Sequence, residues 1–200
     1  MKQARVASWS DIGGREAALV QRCAAGEESA CAELVSEHQR MVVQLSINLL
    51  SDREEALDLS QEVFLRVFRT IHRFRGQSSL RTWIYRIAVN QARNRHRFWR
   101  RRHRADQVSL DQHIAAHGEF LSGGESTPDR MLAQKELAVQ LQQALDHLPF
   151  EQRTAIVLRE IDGLSYEEIA ESLQVAIGTV KSRLTRARQT LRRELREMHS

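Results

Sequence analysis

From Leu164 to Arg188 the chain reads LSYEEIAESLQVAIGTVKSRLTRAR, and its polar residues are spaced for non-covalent chemistry. Lys181, Ser182, Thr185, Arg186 and Arg193 share the outer face of one expected helix. Donors of these types bind phosphate oxygens and base edges, and a helix that carries them at its front can enter a DNA major groove. Val180, Leu184, Ala187 and Leu191 recur on the inner face at helical spacing and suit a core. A shorter helix should precede it. Ser165 and Glu168 form a capping box at its start, and Ile169, Ala170 and Leu173 supply its inner face. A second helix beginning near Ile177–Gly178–Thr179 completes a helix-turn-helix. A plain helical hairpin with a solvated basic face has the same local pattern; the tight turn and the basic outer face favour DNA.

Two further sets of polar residues each share a helix face. Arg86, Asn90, Arg93, Asn94 and Arg97 form a stripe along a helix expected over Leu80 to about Arg102. Arginine seeks phosphate, and an asparagine amide both donates to and accepts from a base edge. Tyr85, Phe98 and Trp99 lie among these residues, and exposed aromatics stack on unpaired bases. For Phe98 and Trp99 stacking and packing both remain open, whereas Trp83 reads as core. Asp58, Gln61 and Glu62, at i, i+3 and i+4, share one face that by spacing alone is an ordinary solvated one.

The chain lacks a phosphate-binding glycine loop, a nucleophile elbow and a pair of carboxylates with catalytic context, so it is not read as an enzyme. Its cysteines and histidines have no metal-ligand spacing, and neither a metal nor a cofactor is expected. Cys23 and Cys31 flank a turn at Gly26–Glu27. A disulfide there is geometrically possible but disfavoured in a reducing compartment. The eight histidines are scattered and read as surface residues.

The elements that position these residues are helices. Two hundred residues with 42% hydrophobic and 28% charged content describe a soluble globular protein of one or two domains. Nine glycines, two prolines and long periodic runs make it all-α. Helices are expected over Arg15 to Ala25 and over Ser29 to Leu50. A third, opened by a Ser51/Glu54 capping box, should run to about Phe74 with Leu57, Val63, Phe64, Val67, Phe68 and Ile71 inward. Ser78 or Ser79 should cap the helix from Leu80, which buries Leu80, Trp83, Ile84, Ile87 and Ala88. Thr127–Pro128 reads as N-cap and first residue of a helix to about His147 carrying Met131, Leu137, Leu141 and Leu145. Pro149 opens another, with Ala155, Ile156, Leu158 and Ile161, that ends at Gly163. The domains are therefore a tail at 1–14, a helical domain at 15–104, a flexible linker at 105–128 and a second helical domain at 129–198. Charge follows this division: Arg93, Arg95, Arg97, Arg100, Arg101, Arg102 and Arg104 crowd together, and the linker carries acid without Lys or Arg. No apolar run approaches the ~20 residues of a membrane span, and the start lacks a signal-peptide core. A cytoplasmic protein is expected.

Three blocks, DLSQEVFLRVFR (Asp58–Arg69), FRGQSSLRTWIYRIAVNQARN (Phe74–Asn94) and LREIDGLSYEEIAESL with GTVKSRLTRAR, occur in one order and spacing. In these the chain resembles bacterial RNA polymerase sigma factors of the extracytoplasmic-function type, nearest the envelope-stress, RpoE-like branch. The resemblance implies a sigma-two domain, a linker and a sigma-four domain that together direct core polymerase to promoters. It replaces the solvated-face reading of Asp58, Gln61 and Glu62, which with Phe64 would bind core polymerase at the β′ clamp helices, while the second domain would meet the β flap. Phe74, Arg75, Gly76, Gln77 and Ser78 would form the loop that captures a flipped minus-10 base, with Arg86, Asn90, Arg93 and Asn94 lining the strand-opening surface. Thr179, Lys181, Ser182, Arg183, Thr185 and Arg186 would contact the minus-35 element. Control would come from a membrane-anchored anti-sigma factor that can hold the chain at the inner membrane. The chain departs from the family at Ala176, where Pro is usual, and at Thr185, where near relatives often place an aromatic. A stand-alone dimeric helix-turn-helix regulator and a purely protein-binding adaptor are the rival readings. The first should bind palindromic duplexes without polymerase; the second should be indifferent to charge reversal along Arg93 to Arg104.

Overall fold

The computed structural model describes the backbone of residues 14–102 and 128–197, and the side chains of 14–99 and 137–197. Nearly all of the expected tail and of the expected linker lies outside the described residues. Among the described residues every regular element is helical: α1 (Gly14–Ala24), α2 (Glu28–Leu50), α3 (Arg53–Thr70) with a 3₁₀ turn at Ile71–Arg73, and α4 (Leu80–Arg102). After the linker come α5 (Pro128–Asp146), α6 (Phe150–Ile156) running into a π-helical turn at Val157–Ile161, α7 (Tyr166–Leu173) and α8 (Ile177–Glu197). The first four helices pack around Leu34, Leu45, Leu49, Leu59, Val63, Ile84 and Val89, all essentially without solvent contact. Each such side chain contributes ~1.5–3 kcal/mol on burial. The second set closes around Leu158, Ile169, Val180, Leu184 and Ala187.

Most helix ends fall where local chemistry placed them, but α3 does not begin at Ser51. That residue adopts φ 60° and closes α2, its N–H bonding the carbonyl of Ile47. Asp52 is the N-cap instead, accepting from the Glu55 N–H at 2.9 Å. Ser79 rather than Ser78 caps α4, its hydroxyl accepting from the Thr82 N–H at 3.1 Å. The capping box of α7 forms as expected: Ser165 Oγ accepts from the Glu168 N–H, and Glu168 accepts from the Ser165 N–H at 2.8 Å. The turn to α8 is made by Gln174 in the left-handed region, φ 53°. α8 starts although Ala176 stands in the proline position, its carbonyl accepting from the Thr179 and Val180 N–H groups.

Several expected core positions face outward. Leu57 is 39% exposed, Leu137 60%, Leu141 39% and Ile161 44%. Met131 lies outside the described side chains. Tyr85, expected among exposed aromatics, is fully buried. His96 is not a simple surface residue; its ring stacks on Phe150 with centroids 4.8 Å apart.

The two helical sets pack against each other. Arg153 of α6, 7% exposed, donates to the Leu49 carbonyl at 3.0 Å and to the Asp146 carbonyl at 2.8 Å. Gln142 of α5 donates to Ser51 Oγ at 2.8 Å and to the Asn48 carbonyl at 3.4 Å. Residues of the second set thus satisfy the last carbonyls of α2, which no helix can satisfy internally. α4 meets α7 and the π turn alongside: Arg81 donates to the Asp162 carbonyl at 2.8 Å and Ser172 to the Thr82 carbonyl at 3.4 Å.

Candidate nucleic-acid interface

α8 sorts its polar residues by angle. Inward Val180, Leu184 and Ala187 fix its roll against α6 and α7, which leaves Lys181, Ser182, Thr185 and Arg186 exposed on one side. The two hydroxyls bond back along the helix, Ser182 to the Thr179 carbonyl at 2.9 Å and Thr185 to the Lys181 carbonyl at 3.0 Å. This holds their rotamers and leaves each oxygen able to accept. Gly178 lies beside them with open space where a Cβ would stand. Arg183 is separate from this group. It is half-buried, with Nη1 3.0 Å from Glu151 Oε2 in an ion pair that lacks hydrogen-bond alignment. Thr179 is half-buried at the helix start.

The stripe on α4 forms in part. Asn90, Asn94 and Arg97 are exposed and Arg86 is half-buried. Arg93 is engaged: its guanidinium grips Glu151 through Nε to Oε1 at 2.9 Å and Nη2 to Oε2 at 3.3 Å, and Nη1 lies 3.4 Å from Asn90 Oδ1. One carboxylate on α6 therefore pairs with Arg93 of the first domain and Arg183 of the second. No sequence signal marks Glu151, because its role depends on the domains meeting.

The loop before α4 has a fixed base and an open rim. Phe74 is buried against Trp83, with ring centroids 5.4 Å apart, and Gly76 takes φ 67°. Arg75 and Gln77 are exposed and Ser78 is half-buried. Glu16 of α1 accepts from the Leu80 N–H, so α1 supports the far end of this loop.

Asp58, Gln61 and Glu62 all stand exposed on α3. Phe64 does not join them; it is 7% exposed and its ring packs toward Phe68 at 6.5 Å, so it backs the face from within the core. Exposed Leu57 and Leu65 belong to the face instead, four residues before and after Gln61. Their outward position could have been read from their place on the register of Gln61 rather than that of Val63 and Val67. Arg95 ties the face to α4, donating to Glu62 at 2.6 Å and to Glu55 at 2.7 Å. An open cleft of about 660 Å³ lies alongside, lined by Glu55, Glu62, Gln91, Asn94, Arg95, Phe98 and Trp99. Phe98 is 59% exposed and Trp99 half-buried.

An exposed polar helix-turn-helix, an Arg/Asn helix and a separate acidic face thus stand together on one all-α chain. Residues 34–104 match the family described as Sigma-70 region 2, and residues 138–191 that described as Sigma-70, region 4. The RNA polymerase sigma-H factor of Pseudomonas aeruginosa is 35% identical over 180 residues, spanning 90% of this chain and 93% of that protein. The ECF RNA polymerase sigma-E factor of Haemophilus influenzae is 37% identical over 182 residues, spanning 90% and 95%. That of Escherichia coli K12 is 38% identical over 177 residues, spanning 86% and 90%. Among solved structures, the sigma factor RpoE of Bartonella quintana, crystallised with the anti-sigma factor NepR, superposes with TM-score 0.65 at 26% identity. It covers 82% of this chain and 96% of that one. CnrH, solved with the cytosolic domain of CnrY, shares the fold at TM-score 0.66 and 24% identity, covering 90% and 96%. The chain belongs to the sigma-70 family, as a sigma factor of the extracytoplasmic-function type. Members of that family direct transcription initiation and are not enzymes. No described helix is long and apolar enough to cross a membrane.

Proposed function

We propose that this sigma factor binds core RNA polymerase through the α3 face and reads promoters through two separate surfaces. Asp58, Gln61 and Glu62, flanked by Leu57 and Leu65, form the surface for the β′ clamp helices; the second domain rests on the β flap. Lys181, Ser182, Thr185 and Arg186 contact the minus-35 element, positioned by phosphate contacts and specified by a few base-edge bonds. Each well-formed bidentate base contact is worth ~1–3 kcal/mol of discrimination. Arg75, Gln77 and Ser78 rim the loop that takes a flipped minus-10 base, and Arg86, Asn90 and Asn94 flank it on α4. Unstacking the base costs a few kcal/mol, which contacts in the loop must offset. Arg93 and Arg183 join their surfaces once Glu151 is withdrawn.

The observation that carries this reading is the joint exposure of Lys181, Ser182, Thr185 and Arg186 on one side of a helix whose other side is buried. The chain is placed in an envelope or stress response under an anti-sigma factor anchored in the inner membrane, a partner that covers the polymerase-binding face. Run-off transcription with purified core polymerase over a promoter library tests the whole. Specific transcripts dependent on this chain are expected; failure to join core polymerase, or joining it without initiating on any promoter, would overturn the proposal. Binding of palindromic duplex without polymerase would establish the regulator reading instead.

A further inference from the structure

Two sulfur atoms at the start of the fold belong to none of the proposed polymerase and promoter surfaces. Cys23 lies in the last turn of α1 and Cys31 in the first turn of α2, across a turn in which Gly26 takes φ 85°. Their Sγ atoms are 2.8 Å apart and unbonded. That is closer than non-bonded sulfurs rest, and a small side-chain movement separates it from the ~2.05 Å of a disulfide. The turn is held shut without the sulfurs. Arg22 Nε donates to Glu27 at 2.9 Å, Ser29 Oγ to Glu27 at 2.6 Å, and Arg15 reaches from α1 to Glu37 on α2 at 2.6 Å. The turn is thus held by contacts that oxidation of the sulfurs does not break.

We propose that Cys23 and Cys31 are an oxidative modification site, converted to an intramolecular disulfide by a peroxide. The two positions suit unequal roles. Cys31 is half-buried and the more accessible of the two, whereas Cys23 is 5% exposed beside buried Leu19 and Val20. Burial and the neighbouring sulfur push the Cys23 thiol up to about 12, which keeps it protonated until its partner is activated. The Cys31 thiolate attacks the peroxide, breaking the O–O bond; one oxygen stays on sulfur as sulfenic acid and the other leaves as water or alcohol. The Cys23 sulfur then attacks the Cys31 sulfur, the S–O bond breaks, and the departing oxygen leaves as water with the Cys23 proton. Two thiols and one peroxide give a disulfide and two molecules of water, or one of water and one of alcohol. The sulfurs supply two electrons, and the peroxide accepts them.

The bridge would join α1 covalently to α2. α1 packs on the 3₁₀ turn at Ile71–Arg73 and its Glu16 caps Leu80, so the staple fixes the support on both sides of the Phe74–Ser79 loop. The site is reduced at rest in a reducing compartment and responds to an oxidant pulse. The chemistry of the pair does not depend on how the loop is used.

The test uses the full chain, reduced, freed of thiols and exposed to hydrogen peroxide. Intact mass should fall by two hydrogens, a digest should yield one linked peptide pair containing Cys23 and Cys31, and the melting temperature should rise by several degrees and return with dithiothreitol. Two variants separate the roles: Cys23→Ser should accumulate a sulfenic acid trapped on Cys31 by dimedone, and Cys31→Ser should give little trapped adduct. In the unaltered chain, absence of the linked peptides, or passage of Cys31 to sulfinic acid without a bridge, would overturn the proposal. Either result leaves the promoter reading untouched, because neither involves DNA or polymerase.

Discussion

Lys181 and Arg186 stand in water with their charged ends away from the core, so their loss should cost recognition and not stability. Replacing both with Ala should lower promoter-dependent run-off transcription by on the order of tenfold or more, from lost phosphate and base contacts of ~1–3 kcal/mol each. Affinity for core polymerase, measured by titration, should hold; equal loss of both activities would remove these residues from the minus-35 surface. Gln61→Ala with Glu62→Ala should do the reverse and weaken core binding. The residue types at both surfaces were legible in the sequence because exposure follows helical register once the inner face is known. Arg183 and Phe64 stand apart from these exposed residues: each shares a block with them, but its angle turns it toward Glu151 or into the core. Leu57 reads as core in the sequence because an apolar residue in a periodic run usually is, and Leu65 is given no place; both are exposed.

Helices declare themselves through caps and periodicity, both local, and the eight described α-helices begin within two residues of where the sequence put them. At α3 a neighbour won: Ser51 is used to close α2, so Asp52 takes the cap. In the turn of the helix-turn-helix the backbone adopts a costly shape, as Ser51 does at the end of α2. Gln174 sits at φ 53°, a region costly to any residue with a Cβ, and its N–H bonds the Ala170 and Glu171 carbonyls. Gln174→Gly should stabilise the second domain by ~0.5–1 kcal/mol, seen as a higher denaturation midpoint at unchanged slope. Ser165→Ala should lower stability by ~1 kcal/mol, because the Glu168 N–H loses its acceptor. No gain from the glycine would mean that contacts of the glutamine side chain compensate its backbone.

At the scale of the whole molecule, the contact between domains was not legible, since it depends on residues distant in sequence that look ordinary where they stand. Arg153 reads as one surface charge in a helix, yet it is buried on the α2 carbonyls, where burial works against its charge and the Asp146 carboxylate, 3.0 Å away, supports it. Asp162 is enclosed beside Tyr85 of α4, and burial pushes its carboxyl up to about 6, with the Tyr85 hydroxyl and Arg81 opposing the shift. A folded-state value raised above the unfolded one makes the group most favourable below the unfolded value, and that contribution is lost as pH rises through about 6. Asp162→Asn mimics the neutral acid. It should be more stable than the unaltered chain by ~1–3 kcal/mol at about pH 7.5, and the difference should shrink toward zero below about pH 4. A constant difference across that range would mean that Asp162 does not titrate between folded and unfolded chains.

Glu151 has the largest consequence for how the domains are used. Its carboxylate lies where Arg93 and Arg183 would otherwise meet phosphate, so the docked arrangement holds one arginine from each proposed promoter surface against protein. An ion pair this exposed is worth little by itself, ~1 kcal/mol or less per arginine. Reversing it is worth more, because Glu151→Lys places three cations together against the remaining contacts, among them Arg81 to Asp162, Ser172 to Thr82, Gln142 to Ser51 and the Arg153 cap. The radius of gyration of Glu151→Lys in small-angle scattering should therefore exceed that of the unaltered chain, more so at low salt, since screening weakens exposed charges. Adding Arg93→Glu restores an opposite-charge pair and should return the chain toward its compact size. An unchanged radius in the single variant would show that the buried α2 cap, and not Glu151, keeps the domains together. Expansion that the second substitution fails to reverse would point to damage within α6 and not to the loss of a specific pair.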